Sequence, residues 1–137
     1  MPTLNYCQEH SFQANPMFLY LAAQAVHDPF NDIDSSSVGR SGIPKEYLSE
    51  DVYEYIQNHV VGASRQQYAM ALNLLDGSVQ AIVEALAARG QLDNTYIIFA
   101  SDNGGCYQAG GRNGDLRGSK GSLFEGMSCC HNIYHFF

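Results

Sequence analysis

Two groups of polar residues in this sequence follow apolar runs. Met17-Phe18-Leu19-Tyr20-Leu21-Ala22-Ala23 is a continuous apolar run, and His27 and Asp28 come four residues after it. Thr95-Tyr96-Ile97-Ile98-Phe99-Ala100 is a second run, and it ends on Ser101, Asp102 and Asn103. A glycine-rich stretch then supplies Arg112, Arg117 and Lys120. Asp102 and Asn103 offer a carboxylate and an amide oxygen at adjacent positions, the donors that hard cations such as calcium and magnesium prefer. The same Asp-Asn-Gly-Gly string is also good turn sequence, and the residue types alone leave both readings open. The His27 imidazole can act as a general acid or as a donor to an anion, or it can be a structural histidine. Lys120 and Arg117 can hold an oxyanion, or they can be solvated loop charges.

The elements around these residues have to bring them together. Both apolar runs read as strands buried on two faces, as in a parallel sheet. Pro29 restricts Asp28 to extended geometry and ends the first run. Residues 31 to 44 are rich in Ser, Gly and Asp and read as a surface loop. Glu50 to Val60 reads as a short helix. The strongest periodicity runs from Ser64 to Arg89, with apolar residues at Tyr68, Leu72, Leu75, Val79, Ile82, Val83 and Leu86. Those steps of three and four place them on one helix face. Ser64 with Gln67 fits a capping box, and Gly90 fits a helix-ending C′ residue. The stripe reads as core packing and carries no chemistry.

Strand, long helix, strand is a βαβ unit, so the two strands are expected to be parallel. In open α/β sheets, ligands bind beyond the carboxyl ends of the strands, which is where both polar groups fall. Seven glycines lie between 104 and 121, with Gly126 just beyond. They show no repeat period, and loops of this length are usually functional or disordered.

Composition narrows the classes. A chain of 137 residues is the usual size of one domain. Apolar residues at 45% argue against disorder. Acidic residues outnumber basic ones 14 to 7, for a net charge of -7, the wrong sign for neutralising phosphates, so no nucleic-acid partner is expected. No uninterrupted apolar run approaches the roughly 18 residues of a membrane span, so no membrane partner is expected. The N-terminus Met1-Pro2-Thr3-Leu4-Asn5-Tyr6 shows no basic region followed by an apolar one, so no signal peptide is visible in these residues. The cysteines, Cys7, Cys106, Cys129 and Cys130, match neither a paired zinc spacing nor a disulfide framework.

Three strings together carry a resemblance. Phe18-Leu19-Tyr20-Leu21-Ala22-Ala23-Gln24-Ala25-Val26-His27-Asp28-Pro29 is similar to a segment of the sulfatase family. So is Asp93-Asn94-Thr95-Tyr96-Ile97-Ile98-Phe99-Ala100-Ser101-Asp102-Asn103-Gly104-Gly105. So is Leu116-Arg117-Gly118-Ser119-Lys120-Gly121-Ser122-Leu123-Phe124-Glu125-Gly126. They occur in the family's order and at fitting separations, and Pro44-Lys45-Glu46-Tyr47 and the helix beginning near Arg65 fit as well. The likeness is to the arylsulfatase B-like branch and covers roughly residues 15 to 126. It divides the chain into an N-terminal segment 1–14, a partial sulfatase domain 15–126 and a divergent tail 127–137.

The resemblance implies an α/β fold, part of an alkaline-phosphatase-like domain with a mostly parallel sheet flanked by helices. It implies metal-dependent hydrolysis of sulfate esters, with a sulfated small molecule or glycan as substrate and a lysosomal or secreted location. Asp102 and Asn103 match two ligands of a divalent cation, usually calcium. His27 matches a histidine near the ester or leaving-group oxygen, and Lys120 a lysine that binds the sulfate. A cation and an ammonium oppose negative charge where it develops on the sulfuryl and leaving oxygens.

The chain also departs from the family. The family nucleophile is a formylglycine made from cysteine in a Cys-x-Pro-x-Arg context, and none of the four cysteines has that context. The family's early aspartate pair and its lysine-x-histidine pair are absent too. After Glu125-Gly126 the pattern stops and Met127-Ser128-Cys129-Cys130-His131-Asn132-Ile133-Tyr134-His135-Phe136-Phe137 follows. The expectations are a shortened sulfatase chain, no turnover by the chain alone, and weak metal binding. The alternatives are a non-catalytic remnant that binds a cation or a sulfated ligand, and a related phosphatase or phosphodiesterase. The His27-Asp28-Pro29 and Arg117-Gly118-Ser119-Lys120 contexts favour the sulfatase.

Overall fold

A computed structural model of the chain describes residues 2–12, 14–27, 43, 45–128 and 133–136. Asp28, Pro29, the 31–44 loop apart from Ile43, Cys129 and Cys130 lie outside the described residues. The elements run α1 (Pro2–Glu9), α2 (Glu50–His59), α3 (Ala63–Ala88), β1 (Tyr96–Phe99), a short α4 (Glu125–Ser128) and β2 (Ile133–Phe136).

The periodic stretch forms α3, the 26-residue element on which α1 and α2 pack. Met70, Ala71, Ala85 and Leu86 are its buried residues. Tyr68, Leu75, Val79, Ile82 and Val83 are half-buried. Leu72 departs from the expected stripe and lies on the exposed face with Asn73, Asp76, Gly77, Gln80 and Glu84. By length and composition α3 is also long and apolar enough to cross a membrane, although its apolar residues form no uninterrupted run of that length. Its alternation of polar and apolar faces is that of an amphipathic core helix.

The caps differ from expectation at one end and agree at the other. Gly62, at φ +96°, takes the N-cap position without a side-chain cap, so Ser64 falls inside the first turn. Gln67 does not complete a capping box: its Oε1 accepts from the Ile43 N–H at 2.6 Å. At the far end Gly90 is left-handed, at φ +63°. Its N–H donates to Ala87 O, and the Gln91 N–H donates to Leu86 O, the two hydrogen bonds of a Schellman ending.

Helix α2 forms as expected. Ser49 Oγ accepts from the Val52 N–H, Glu50 and Asp51 sit in the first turn, and Ile56 is buried. Carboxylates there complement the helix dipole. Helix α1 carries no clear sequence signal. It is fixed by tertiary contact: Cys7 is fully buried, and Arg89, just past α3, donates to Gln8 O at 2.5 Å and His10 O at 2.8 Å. The Arg89 guanidinium also lies 5.7 Å from the centroid of Phe12.

The expected βαβ unit is not present. The second run does form a strand, β1, but the first does not: residues 16 to 24 carry no strand assignment. Phe18 is 89% exposed and Tyr20 81%. β1 pairs instead with β2, antiparallel, with Tyr96 opposite Phe136 and Phe99 opposite Ile133. The sheet among the described residues is therefore two-stranded and antiparallel, not parallel. The α/β class stands. The physical reason for the difference is that a strand needs a ladder partner for its N–H and C=O groups, and β-sequence specifies which face is apolar but not which neighbour pairs. The tail, at hand beyond α4, takes that place beside β1.

Candidate active site

His27 ends a turn. Its N–H donates to Gln24 O at 3.0 Å, and Val26 just before it has φ +68°. The third position of such a turn is one that glycine fills most readily, since β-branched residues avoid positive φ. The turn leaves the His27 side chain exposed, with its Nε2 3.0 Å from Lys120 Nζ. An ammonium has only donors, so Nε2 is the acceptor and the imidazole proton sits on Nδ1. The two residues are 93 positions apart, so tertiary structure alone brings them together.

Lys120 is placed by the glycine-rich loop, which folds back on the end of β1. The Lys120 N–H donates to Gly105 O at 3.2 Å, and the Gly104 N–H donates to Met127 O at 2.7 Å. A Cβ at Gly104 would lie 1.6 Å from Gly126 O, so only glycine admits this approach. Asp102 is exposed and Asn103 half-buried, and the Ser101 hydroxyl donates to the Asn103 carbonyl at 2.6 Å. Asn103 stands two residues before Gly105, whose carbonyl holds Lys120. The backbone of Lys120 thus lies beside that of Gly105, and His27 meets the Lys120 side chain.

The described residues hold no group of three or more His, Cys, Asp and Glu side chains able to bind a metal. Calcium takes 6–8 oxygens. Asp102 and Asn103 have suitable donor chemistry, but by themselves they do not fit a calcium site.

The remaining loop cations lie elsewhere. The Arg117 guanidinium stacks on Phe124, 3.8 Å from the ring centroid, a cation–π contact. Its carbonyl accepts from the Gly126 N–H at 2.8 Å. Arg112 is exposed and borders a groove of about 440 Å³ between the start of α3 and residues 110 to 114. Arg65 and Tyr107 line it too, and His27, Asp102, Asn103 and Lys120 do not. Arg65 Nη1 donates to Gly110 O at 2.6 Å, which ties the loop to α3.

One residue in this region carries no motif. Asn113 is buried, 8% exposed, at the centre of the glycine-rich loop. Its Oδ1 accepts from the Gly105 N–H at 2.6 Å. Its Nδ2 donates to Gly118 O at 2.9 Å and to Gly105 O at 3.4 Å. Its signal in the sequence is slight, an Asn-Gly pair inside a glycine-rich run, which reads as a turn.

The chain matches the family model described as Sulfatase over residues 5–127. It is 38% identical to arylsulfatase J of Mus musculus over 111 residues, covering 81% of this chain and 16% of that protein. It is 30% identical to N-acetylgalactosamine-6-sulfatase of Homo sapiens, covering 82% of this chain and 18% of the relative. Among solved structures it resembles Ps i-CgsB in complex with k-i-k-neocarrahexaose, with a TM-score of 0.58 and 33% identity. That likeness covers 66% of this chain and 20% of the other. The chain thus spans about a fifth or less of the length of these relatives. With the family match extending over most of its residues, the chain belongs to the sulfatase family.

Proposed function

We propose that this chain carries one side of the active site of a sulfuric ester hydrolase, the side that holds the sulfate and meets the leaving oxygen. The observation that supports it is the contact between His27 and Lys120. The two residues the resemblance assigns to the sulfate, far apart in sequence, have their side-chain nitrogens within hydrogen-bond distance. Residues 15–126 form the part of the domain that contributes to this site, and 127–137 are a tail outside the family pattern.

Hydrolysis of a sulfate ester places charge on the sulfuryl oxygens and the departing oxygen. Lys120 offers three N–H donors and a full positive charge to those oxygens. Before sulfate binds, one of its donors is turned to His27 Nε2. An arriving sulfate, a stronger acceptor because it is charged, takes that donor. His27 Nε2 is then released from Lys120 and, exposed to solvent, can take a proton from water and pass it to the leaving oxygen. Asp102 and Asn103 are the proposed chain-borne ligands of a calcium or other divalent ion, whose role when bound is to offset charge on the sulfate oxygens. Further ligands and the nucleophile have to come from outside residues 1–137, because no cysteine among them stands in a Cys-x-Pro-x-Arg context. The substrate class is a sulfated small molecule or glycan, and the oligosaccharide held by the solved relative favours the glycan. The resemblance points to a lysosomal or secreted setting.

The test is an NMR titration of the purified chain with an aryl sulfate. Shifts are expected at the His27 ring and the Lys120 backbone amide, and Lys120→Met should remove them. No shift at either residue overturns the proposal. The same sample should show no release of the aryl alcohol, and measurable hydrolysis would contradict the absence of a nucleophile.

The absence of the nucleophile context also supports a second reading, a chain that binds sulfate or a cation without turnover. Ligand binding by a long-lived, cooperatively folded chain favours it. A chain without a cooperative melting transition excludes it.

A further inference from the structure

The geometry points to Asn113 as the positioning residue that sets Lys120 in register with Asp102 and Asn103. This rests on the roles proposed above for those three residues. Asn113 touches none of the reacting groups. Its side-chain amide instead joins the two backbone segments that carry them.

On one side it grips Gly105, accepting from its N–H and donating to its carbonyl. Gly105 follows Asn103 by two positions. On the other side it donates to the carbonyl of Gly118, which precedes Lys120 by two positions. The Gly105 carbonyl also accepts from the Lys120 N–H, so the amide and the Lys120 backbone bond act on the same carbonyl. The Tyr107 hydroxyl donates to the Gly118 carbonyl as well, at 2.9 Å, and holds the second segment from outside.

A glycine-rich loop has a large choice of backbone conformations and little side-chain packing to restrict it. Seven glycines between 104 and 121 would leave the separation of Asn103 and Lys120 loosely defined. A buried amide with both its oxygen and its nitrogen engaged restricts it, because releasing these bonds would strand a buried donor or acceptor. Asparagine suits the place because Gly105 and Gly118 need an acceptor and donors on one short side chain. Aspartate supplies the acceptor and not the donors. Alanine supplies neither.

The experiment reads geometry and not turnover, using the full chain. In the parent chain the ¹⁵N shift of His27 Nε2 should depend on Lys120, and the size of that dependence is the difference between the chain and its Lys120→Met variant. Asn113→Ala should abolish the dependence while the melting transition of α3, followed by circular dichroism, and the amide shifts of α2 are retained. Asn113→Asp covers the case in which Asn113→Ala does not fold. At neutral pH it should lose the dependence in the same way. The melting transition of α3 and the amide shifts of α2 should again be retained, which a loss of general stability would not allow. An Asn113→Asp chain that keeps the full Lys120 dependence at neutral pH, or a folded Asn113→Ala chain that does so, overturns the inference. A failed aryl sulfate titration would sink the proposed function and leave these shifts unaffected, so the two failures are distinguishable.

Discussion

Gly110→Ala measures how firmly the glycine-rich loop is held on α3. Gly110 has φ +89°. A Cβ built there lies 2.4 Å from Ser64 O, 2.7 Å from Ser64 C and 2.9 Å from Arg65 Cα. These are backbone atoms of the first turn of α3, so none can rotate away as a side chain would. Left-handed backbone costs a residue with a Cβ about 1–2 kcal/mol. Moving the loop off the helix also breaks the hydrogen bond from Arg65 to Gly110 O, and hydrogen bonds to charged groups contribute about 1.5–3 kcal/mol. The sum is about 3–5 kcal/mol. Gly114→Ala is the matched control, since Gly114 has φ +59° and nothing within 4 Å of its Cβ position. It incurs only the backbone cost. The difference is the hydrogen-bond contribution of about 1.5–3 kcal/mol, a factor on the order of 10–150 in the opening equilibrium. Amide hydrogen exchange of Gly111, whose N–H donates to Cys106 O, and of Gly105, whose N–H donates to Asn113, reads that equilibrium. Exchange in Gly110→Ala should exceed that in Gly114→Ala by this factor or reach the unprotected rate, with amides in the middle of α3 unchanged. Equal exchange in the two variants would refute the reasoning that backbone contact with α3 holds the loop.

Met70 is 1% exposed in the core of α3, so Met70→Ala should cost about 2–5 kcal/mol, read as a lower urea midpoint with an unchanged slope. Cys7 should react with a disulfide reagent far more slowly than Cys106 in the folded chain, and at the same rate in urea, in a background with Cys129→Ser and Cys130→Ser; equal rates in the folded chain would contradict its burial. Burial pushes the Cys7 thiol up from its ordinary value. Its contribution to stability is therefore complete below the unfolded thiol's range of about 8.5 and is lost as the pH rises through the higher folded value, so the melting temperature should decline on that alkaline side. Calcium titrated into the chain should bind no tighter than about millimolar by calorimetry, and micromolar affinity would show that Asp102 and Asn103 have more partners than these two donors.

Much of the candidate site was legible because it is local. The end of the second apolar run set Asp102 and Asn103 just past a strand, and β1 is there, from Tyr96 to Phe99. The Leu116–Gly126 string marked Lys120, and the 3.6-residue spacing marked α3 almost to the residue. Gly90 was readable as a helix end because a single left-handed residue suffices for it. Ser64 misled because a good capping residue two positions inside the start looks the same in sequence as one at the start. Asn113 was hidden for a different reason. Its partners are the backbone of Gly105 and Gly118, and no residue type advertises a backbone group.

The sequence by itself determined the helices whose apolar periodicity outweighs local alternatives, the apolar character of the segment that becomes β1, the family, and which polar residues are proposed for its site. It also determined that the loop would be rich in glycine, and so able to bring Gly104 against Gly126 and Gly110 against Ser64. Only the tertiary structure decided that His27 meets Lys120, that Arg89 fixes the end of α1, and that β1 pairs with β2 rather than with the run of 17–23. The division has one physical cause. Helix periodicity, caps and turns are satisfied within a few residues, so composition and spacing record them. Strand pairing and long-range hydrogen bonds depend on which distant segment arrives, and the same Phe18 and Tyr20 that would line a buried strand stay exposed when no ladder partner does.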